Sequence, residues 1–135
     1  MNENQITKDY YANKNTTKFY LDLWVGDSIH FVIYLDYYKY NSLTNKDVKK
    51  NIIKDAIDRK KEYMYKFIKL YMSAYIGKYY IADFGSGYGG TSRYIYDKLN
   101  IIMKNNFSID GYDISHDNCI INTHKNILYN YFHFQ

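Results

Sequence analysis

The chain has no proline and one cysteine, Cys119, and only seven of its 135 residues are glycine. Without proline there is no rigid extended linker, and no Gly/Ser-rich stretch supplies a flexible one, so nothing in the composition marks off a second domain. A single thiol excludes an internal disulfide and any cysteine-based metal cluster, and fits a reducing compartment. No segment reaches the roughly 18 consecutive apolar residues of a membrane span, and the opening "MNENQITKDYY" lacks the apolar core of a secretory signal. These absences lead us to expect a single-domain cytoplasmic protein with no membrane partner. An excess of one charge is missing too: 18 basic residues against 14 acidic ones give a net +4. That mixture is too even for a nucleic-acid binder, whose basic residues gather into a patch or stripe. What abounds is tyrosine, at 19 residues, with asparagine, lysine and isoleucine. All four are read from AT-rich codons, so the skew is assigned to the gene's base composition rather than to function.

Along the chain, "TTKFYLDLW" (16–24) predicts a short amphipathic helix beginning at Thr16 or Thr17, and "SIHFVIYL" (28–35) is β-branched and aromatic enough to be extended. The clearest helix is predicted to start at Thr44, where Thr44 and Asp47 have capping-box spacing. Val48, Ile52, Ala56, Met64, Phe67, Ile68, Tyr71, Met72 and Tyr75 continue it as one apolar stripe to about Ile76, and Gly77 is a natural stop. Its lysines, Lys46, Lys49, Lys50, Lys54, Lys60 and Lys61, interleave with Asp55, Asp58 and Glu62 and read as a solvated face. The order then becomes strand (79–84), Gly-rich loop, helix (90–99), connection (100–106), strand (107–112) and helix (115–127), with "YNYFHFQ" able to begin a third strand. Such alternation predicts an α/β fold with a parallel, doubly wound sheet.

The scarce glycines are concentrated in "IADFGSGYGGTSRYI", where Gly85, Gly87, Gly89 and Gly90 follow an apolar run ending at Asp83. Gly85, Gly87 and Gly90 satisfy G-x-G-x-x-G, a pattern that permits a tight strand-to-helix turn and lets a ligand touch the main chain. A nicotinamide dinucleotide would set its pyrophosphate on the following helix terminus, where Asp83 is an unhelpful negative neighbour. S-adenosylmethionine carries no phosphate and presents an ammonium and a sulfonium, which a carboxylate attracts. A second carboxylate, Asp113 in "SIDGYDIS", ends the next predicted strand at a distance suited to accepting the ribose hydroxyls of either ligand. Ile114 follows, where an apolar side chain can cover an adenine face. The plainer alternative is that both acids cap neighbouring elements around an ordinary turn.

With "DFGSGYGG" and "GYDIS" in order, the chain resembles the class I S-adenosylmethionine-dependent methyltransferases. "GSGYGGTSRYI" is most similar to the N-methyltransferases of glycine, sarcosine and dimethylglycine, and "FYLDLWVGDSIHFVIY" (19–34) is similar to that family's opening Trp-Gly-Gly-Glu block. The resemblance implies a Rossmann-like fold truncated after its second or third strand. Residues 1–45 would form a helical lid and 46–135 the N-terminal half of the cofactor domain. It further implies that Asp83, Gly85, Ser86, Gly87 and Gly89 form the cofactor loop and that Asp113 and Ile114 hold the adenosine. Trp24 and Arg93 would touch the cofactor, and Tyr20 and His30, in the lid, would be the candidates to assist chemistry. Two departures stand out: Val25 where the family has a glycine, and Asp27 where it has a glutamate. The family's later strands, which carry much of the acceptor pocket, are absent, so a protein partner or a missing C-terminal half is expected. A phosphoethanolamine-type N-methyltransferase, a non-catalytic remnant and a nicotinamide-dependent reductase are the rival readings. Tyr20 and Trp24 could equally be core aromatics of a Tyr-rich protein.

Methyl transfer to an amine is a direct displacement in which alignment supplies much of the catalysis. His30 or a lid tyrosine could take a proton from a primary or secondary amine. His116, His124 and His133 have no metal-ligand spacing, so no metal is expected, and Cys119 reads as a small core residue.

Overall fold

The computed structural model describes residues 3–16, 18, 22, 44–74, 76–104, 106–125 and 130–133. The helix expected over 16–24 lies mostly outside this set, and the extended segment over 28–35 lies outside it entirely, as do Tyr20, Trp24 and His30. The elements are α1 (Glu3–Ala12), α2 (Lys46–Ser73), β1 (Tyr79–Phe84), α3 (Gly90–Met103), β2 (Phe107–Asp113), α4 (His116–Lys125) and β3 (Asn130–His133). Helix α1 carries little apolar periodicity and was not expected; Gln5 donates to Asp9 one turn later at 2.8 Å.

Helix α2 has 28 residues, about 42 Å at 1.5 Å per residue. Its N-cap is Asn45, one residue later than the expected Thr44, because the Asn45 side chain accepts from Asp47 N at 2.9 Å and Val48 N at 3.2 Å. It ends at Ser73, with Ala74 as C-cap. The buried side runs through Ile53, Ala56, Ile57 and Met72, joined by partly buried Met64 and Ile68. Of the expected stripe, Ala56, Met64, Ile68 and Met72 face inward, whereas Val48, Phe67 and Tyr71 are exposed and Ile53 and Ile57 are buried in addition. The lysine face also divides, since Lys46, Lys50 and Lys54 are exposed whereas Lys60 and Lys61 are half-buried.

Strand β1 has the expected bounds, and β2 extends one residue further, to Asp113. Residues 100–106 were expected to form a connection, but α3 runs on to Met103. It closes at Lys104, whose left-handed backbone (φ 39°) lets its N–H reach Asn100 O. The three strands are parallel in the order β1-β2-β3, with Tyr79 opposite Phe107 and Asp113 opposite His133. Met72, Ile95, Leu99, Phe107 and Ile109 form the core between the two longer helices and one sheet face. Tyr79 Oη donates to Met72 O at 2.6 Å, tying the end of α2 to the start of β1. On β2, Phe107, Ile109, Gly111 and Asp113 are buried and the residues between them half-buried. This alternation brings Asp113 to the buried face at the carboxyl end of the sheet, level with the end of β1. Among the described residues no helix is long and apolar enough to cross a membrane.

Candidate functional site

The glycine loop is built by its own backbone. Gly85, Gly87 and Gly89 have φ of 73°, 53° and 70°, left-handed values that L side chains rarely adopt. The N–H groups of Gly85 and Ser86 both donate to Tyr112 O, at 2.8 and 2.9 Å, anchoring the loop to the end of β2. Gly89 N closes a turn onto Ser86 O at 2.9 Å, and Arg93 N onto Gly89 O makes the first helical bond of α3. Gly89 caps α3 with no side-chain hydrogen bond, so the first-turn N–H groups have no intrahelical partner. A Cβ at Gly85 or Gly87 would meet nothing within 4 Å. The glycines there serve the turn, and the space above the main chain is open to a ligand.

Two carboxylates border the loop. Asp113 is 6% exposed. Its Oδ2 accepts from Gly87 N at 2.7 Å, and its Oδ1 accepts from Ser115 N at 2.8 Å and Asn118 Nδ2 at 3.2 Å. A carboxylate offers about four acceptor positions, so three donors leave capacity for another. Asp83 accepts the Ser92 hydroxyl hydrogen bond. Burial pushes the Asp83 carboxyl above its ordinary value; the Ser92 bond and Lys60 oppose the shift, and the Asp113 charge adds to it. Burial likewise lowers the Lys60 ammonium, against the attraction of Asp83. A cation brought to Asp83 would therefore relieve an unfavourable carboxylate, and a hydroxyl brought to Asp113 would find the remaining acceptor position on an oriented carboxylate.

Among the described residues, two buried hydroxyls remain without a hydrogen-bond partner: Ser86 Oγ and Thr91 Oγ1, each on a residue 2% exposed. An unmet buried polar group costs about 1–3 kcal/mol, which is consistent with a loop completed by a polar ligand. Arg93 donates from Nη2 to Tyr88 O at 2.7 Å, so at least one arm of its guanidinium holds the loop. Ile114 is half-buried just after β2.

The fold thus gathers Asp83, Gly85, Ser86, Gly87, Gly89, Arg93, Asp113 and Ile114 at one end of the parallel sheet; Tyr20, Trp24 and His30 lie outside the described residues. Sequence reasoning missed Ser115 and Asn118, which hold Asp113, and Lys60, a half-buried lysine whose charge acts on Asp83. Ser115 is a helix-start residue and Lys60 falls in phase with Ile53, Ala56, Ile57 and Met64, but no spacing shows that α4 turns Asn118 onto Asp113. Cys119 is buried, its thiol directed at Asp113 O at 3.9 Å and raised by that burial.

A separate cleft of about 580 Å³ opens between α2 and α3, lined by Asp55, Asp58, Arg59, Glu62, Tyr63, Lys66 and Tyr94. There Tyr94 donates to Glu62 Oε2 at 2.5 Å. Burial and that bond push its phenol up to about 12. No glycine-loop residue lines this cleft.

No family model matches the chain, and no curated protein matches it by sequence. Among solved structures it is similar to a protein from Galdieria sulphuraria whose name assigns it provisionally as a sarcosine dimethylglycine methyltransferase. The two share 22% identity with a TM-score of 0.60, and the match covers 93% of this chain but 42% of that one. The chain therefore shares an α/β fold with a methyltransferase-named protein while spanning less than half of its length.

Proposed function

We propose that this chain is the cofactor-binding part of an S-adenosylmethionine-dependent N-methyltransferase with a Rossmann-like fold, acting on a small amine such as sarcosine or dimethylglycine. The observation that carries the reading is the pairing of a left-handed glycine loop with a half-buried carboxylate, Asp83, beside it. A pyrophosphate would be repelled there, whereas an ammonium would be held. The donor set fits the group: open space over Gly85 and Gly87, an unmet Ser86 hydroxyl, and Asp113 with acceptor capacity remaining. In this reading Asp113 holds the ribose hydroxyls, Ile114 covers the adenine, and Asp83 attracts the amino-acid end. S-adenosylmethionine, when bound, supplies a methyl group on a sulfonium, for which a neutral thioether is the leaving group. The residues of this chain bind and orient; Tyr20, Trp24 and His30 are proposed, from the family resemblance, to close over the acceptor. The choice of a glycine-derived amine rests on that resemblance and on the name of the Galdieria protein.

Incubation with methyl-labelled S-adenosylmethionine and each of sarcosine, dimethylglycine and phosphoethanolamine tests the acceptor. Label on either of the first two is expected, and label on phosphoethanolamine alone would contradict the assignment. The 42% coverage favours a second reading, in which the chain binds cofactor but turns over only when complemented. Cofactor binding without transfer would select it.

A further inference from the structure

We propose, resting on the S-adenosylmethionine reading for the identity of the ligand, that Ser92 is the positioning residue of the site. Its hydroxyl holds one oxygen of the Asp83 carboxylate, keeps that group a charged acceptor, and leaves the other oxygen to the ammonium of the ligand. Ser92, Ile95 and Leu99 follow one another at spacings of three and four along α3, and all three are buried, so they form the stripe that meets the sheet. Ile95 and Leu99 belong to the apolar core. Ser92, 2% exposed, is the polar member at the N-terminal end of that stripe, and a hydroxyl packed there needs an acceptor. Strand β1 alternates, with Tyr79, Ile81 and Asp83 partly buried and the residues between them exposed. Tyr79 and Ile81 pack against the core that Ile95 and Leu99 enter, so Asp83 continues the face that α3 covers. The Ser92 hydroxyl donates to Asp83 Oδ2 across the glycine turn.

The two carboxylates of the site are held differently. Asp113 is tied by three donors on its two oxygens. Among the described residues the Asp83 side chain accepts one hydrogen bond, from Ser92, on Oδ2. A carboxylate has about four acceptor positions and an ammonium three donors, so Asp83 is the freer of the two to take a cation. The charged groups that act on it come from two further elements, Asp113 on β2 and Lys60 on α2. Burial and the Asp113 charge favour the neutral acid; the Ser92 bond and Lys60 favour the carboxylate, and Ser92 is the stronger of that pair. An ammonium is attracted by the ionised group. Ser92 therefore extends to lower pH the range over which the amino-acid end of the ligand is held.

The test follows the Asp83 carboxyl carbon of the unliganded 135-residue protein by NMR as pH is varied, with Asp83→Asn assigning the signal. Ser92→Ala is expected to raise the titration midpoint by about one pH unit, since two or three hydrogen bonds to a carboxylate lower it by about two. Ser92→Cys keeps the shape of the site with a weak donor. It is expected to raise the midpoint by less, so a folding defect in the alanine variant leaves the measurement standing. Calorimetry over the same pH range uses S-adenosylhomocysteine and methylthioadenosine, which lacks the amino-acid end. Wild-type affinity for S-adenosylhomocysteine is expected to fall as pH drops through the Asp83 midpoint, and in Ser92→Ala that fall moves up by the same interval. Methylthioadenosine affinity is expected to be the same in wild type and both variants. A midpoint that stays in place or falls in both variants, or equal losses for the two nucleosides, would overturn the role of Ser92. The NMR shift together with a wild-type chain that binds neither nucleoside would instead overturn the cofactor reading, and with it the ligand assigned to Asp83.

Discussion

Asp113→Asn changes one atom in a buried group that serves three donors, and the hydrogen-bond geometry fixes its cost. In the wild type Oδ2 accepts from Gly87 N, and Oδ1 from Ser115 N and Asn118 Nδ2. An asparagine has one acceptor atom. In its better orientation the amide oxygen keeps Ser115 and Asn118, and its NH₂ then faces the N–H of Gly87. One hydrogen bond to a charged acceptor is lost, worth about 1.5–3 kcal/mol. At about 4 °C per kcal/mol for a chain of this size, Tm falls by about 6–12 °C. Urea denaturation with an unchanged m-value reads the loss, and hydrogen exchange locates it, with the Gly87 amide accelerated more than the amides of β1. A stability change below about 0.5 kcal/mol, or unaltered protection of Gly87, would refute the reasoning that Asp113 ties the loop to the sheet.

Three further predictions follow from the same geometry. Because the Asp83 carboxyl is raised by burial, the folded state holds its proton more tightly than the unfolded state does. Its stabilising contribution is full below the ordinary value of 3.8 and is lost as pH rises through the folded value. Asp83→Asn is therefore expected to raise Tm at neutral pH, to have little effect in acid below the ordinary carboxyl range, and to weaken cofactor binding; equal Tm shifts at both pH values would contradict the assignment. Gly87→Ala adds a methyl group in open space but at φ 53°. About 1–2 kcal/mol of backbone strain is expected in denaturation, together with a larger loss in S-adenosylhomocysteine affinity measured by calorimetry. Leu99→Ala empties a site with 0% exposure and is expected to cost about 2–5 kcal/mol, against about 0.5 or less for Ile101→Ala at 75% exposure.

The central βαβ unit was legible because each of its parts carries a local signal. The apolar run fixed β1, the glycine cluster fixed the turn, and the second run fixed β2, all within a residue or two. Helix α2 was legible in kind and only partly in phase, with Ala56, Met64, Ile68 and Met72 of the expected stripe facing inward. Its long sequence is apolar on more than one face, and only the tertiary packing decides that Ile53 and Ile57 turn inward while Phe67 and Tyr71 do not. The same tertiary choice turned Lys60 from an expected surface lysine into a half-buried one whose charge acts on Asp83. The "IIM" after Asn100 continues α3 because Lys104 supplies a left-handed stop that propensity does not anticipate. Asp83 and Asp113 could be named from spacing alone, but Asn118 and Ser115 could not, since their part depends on α4 turning back onto the end of β2.

The measurement closest to the central claim is calorimetric titration of the 135-residue protein with S-adenosylhomocysteine and, separately, with NAD. The account predicts saturable binding of S-adenosylhomocysteine that Asp83→Asn weakens, and no binding of NAD. A folded chain that binds NAD, or that binds neither ligand, would contradict it.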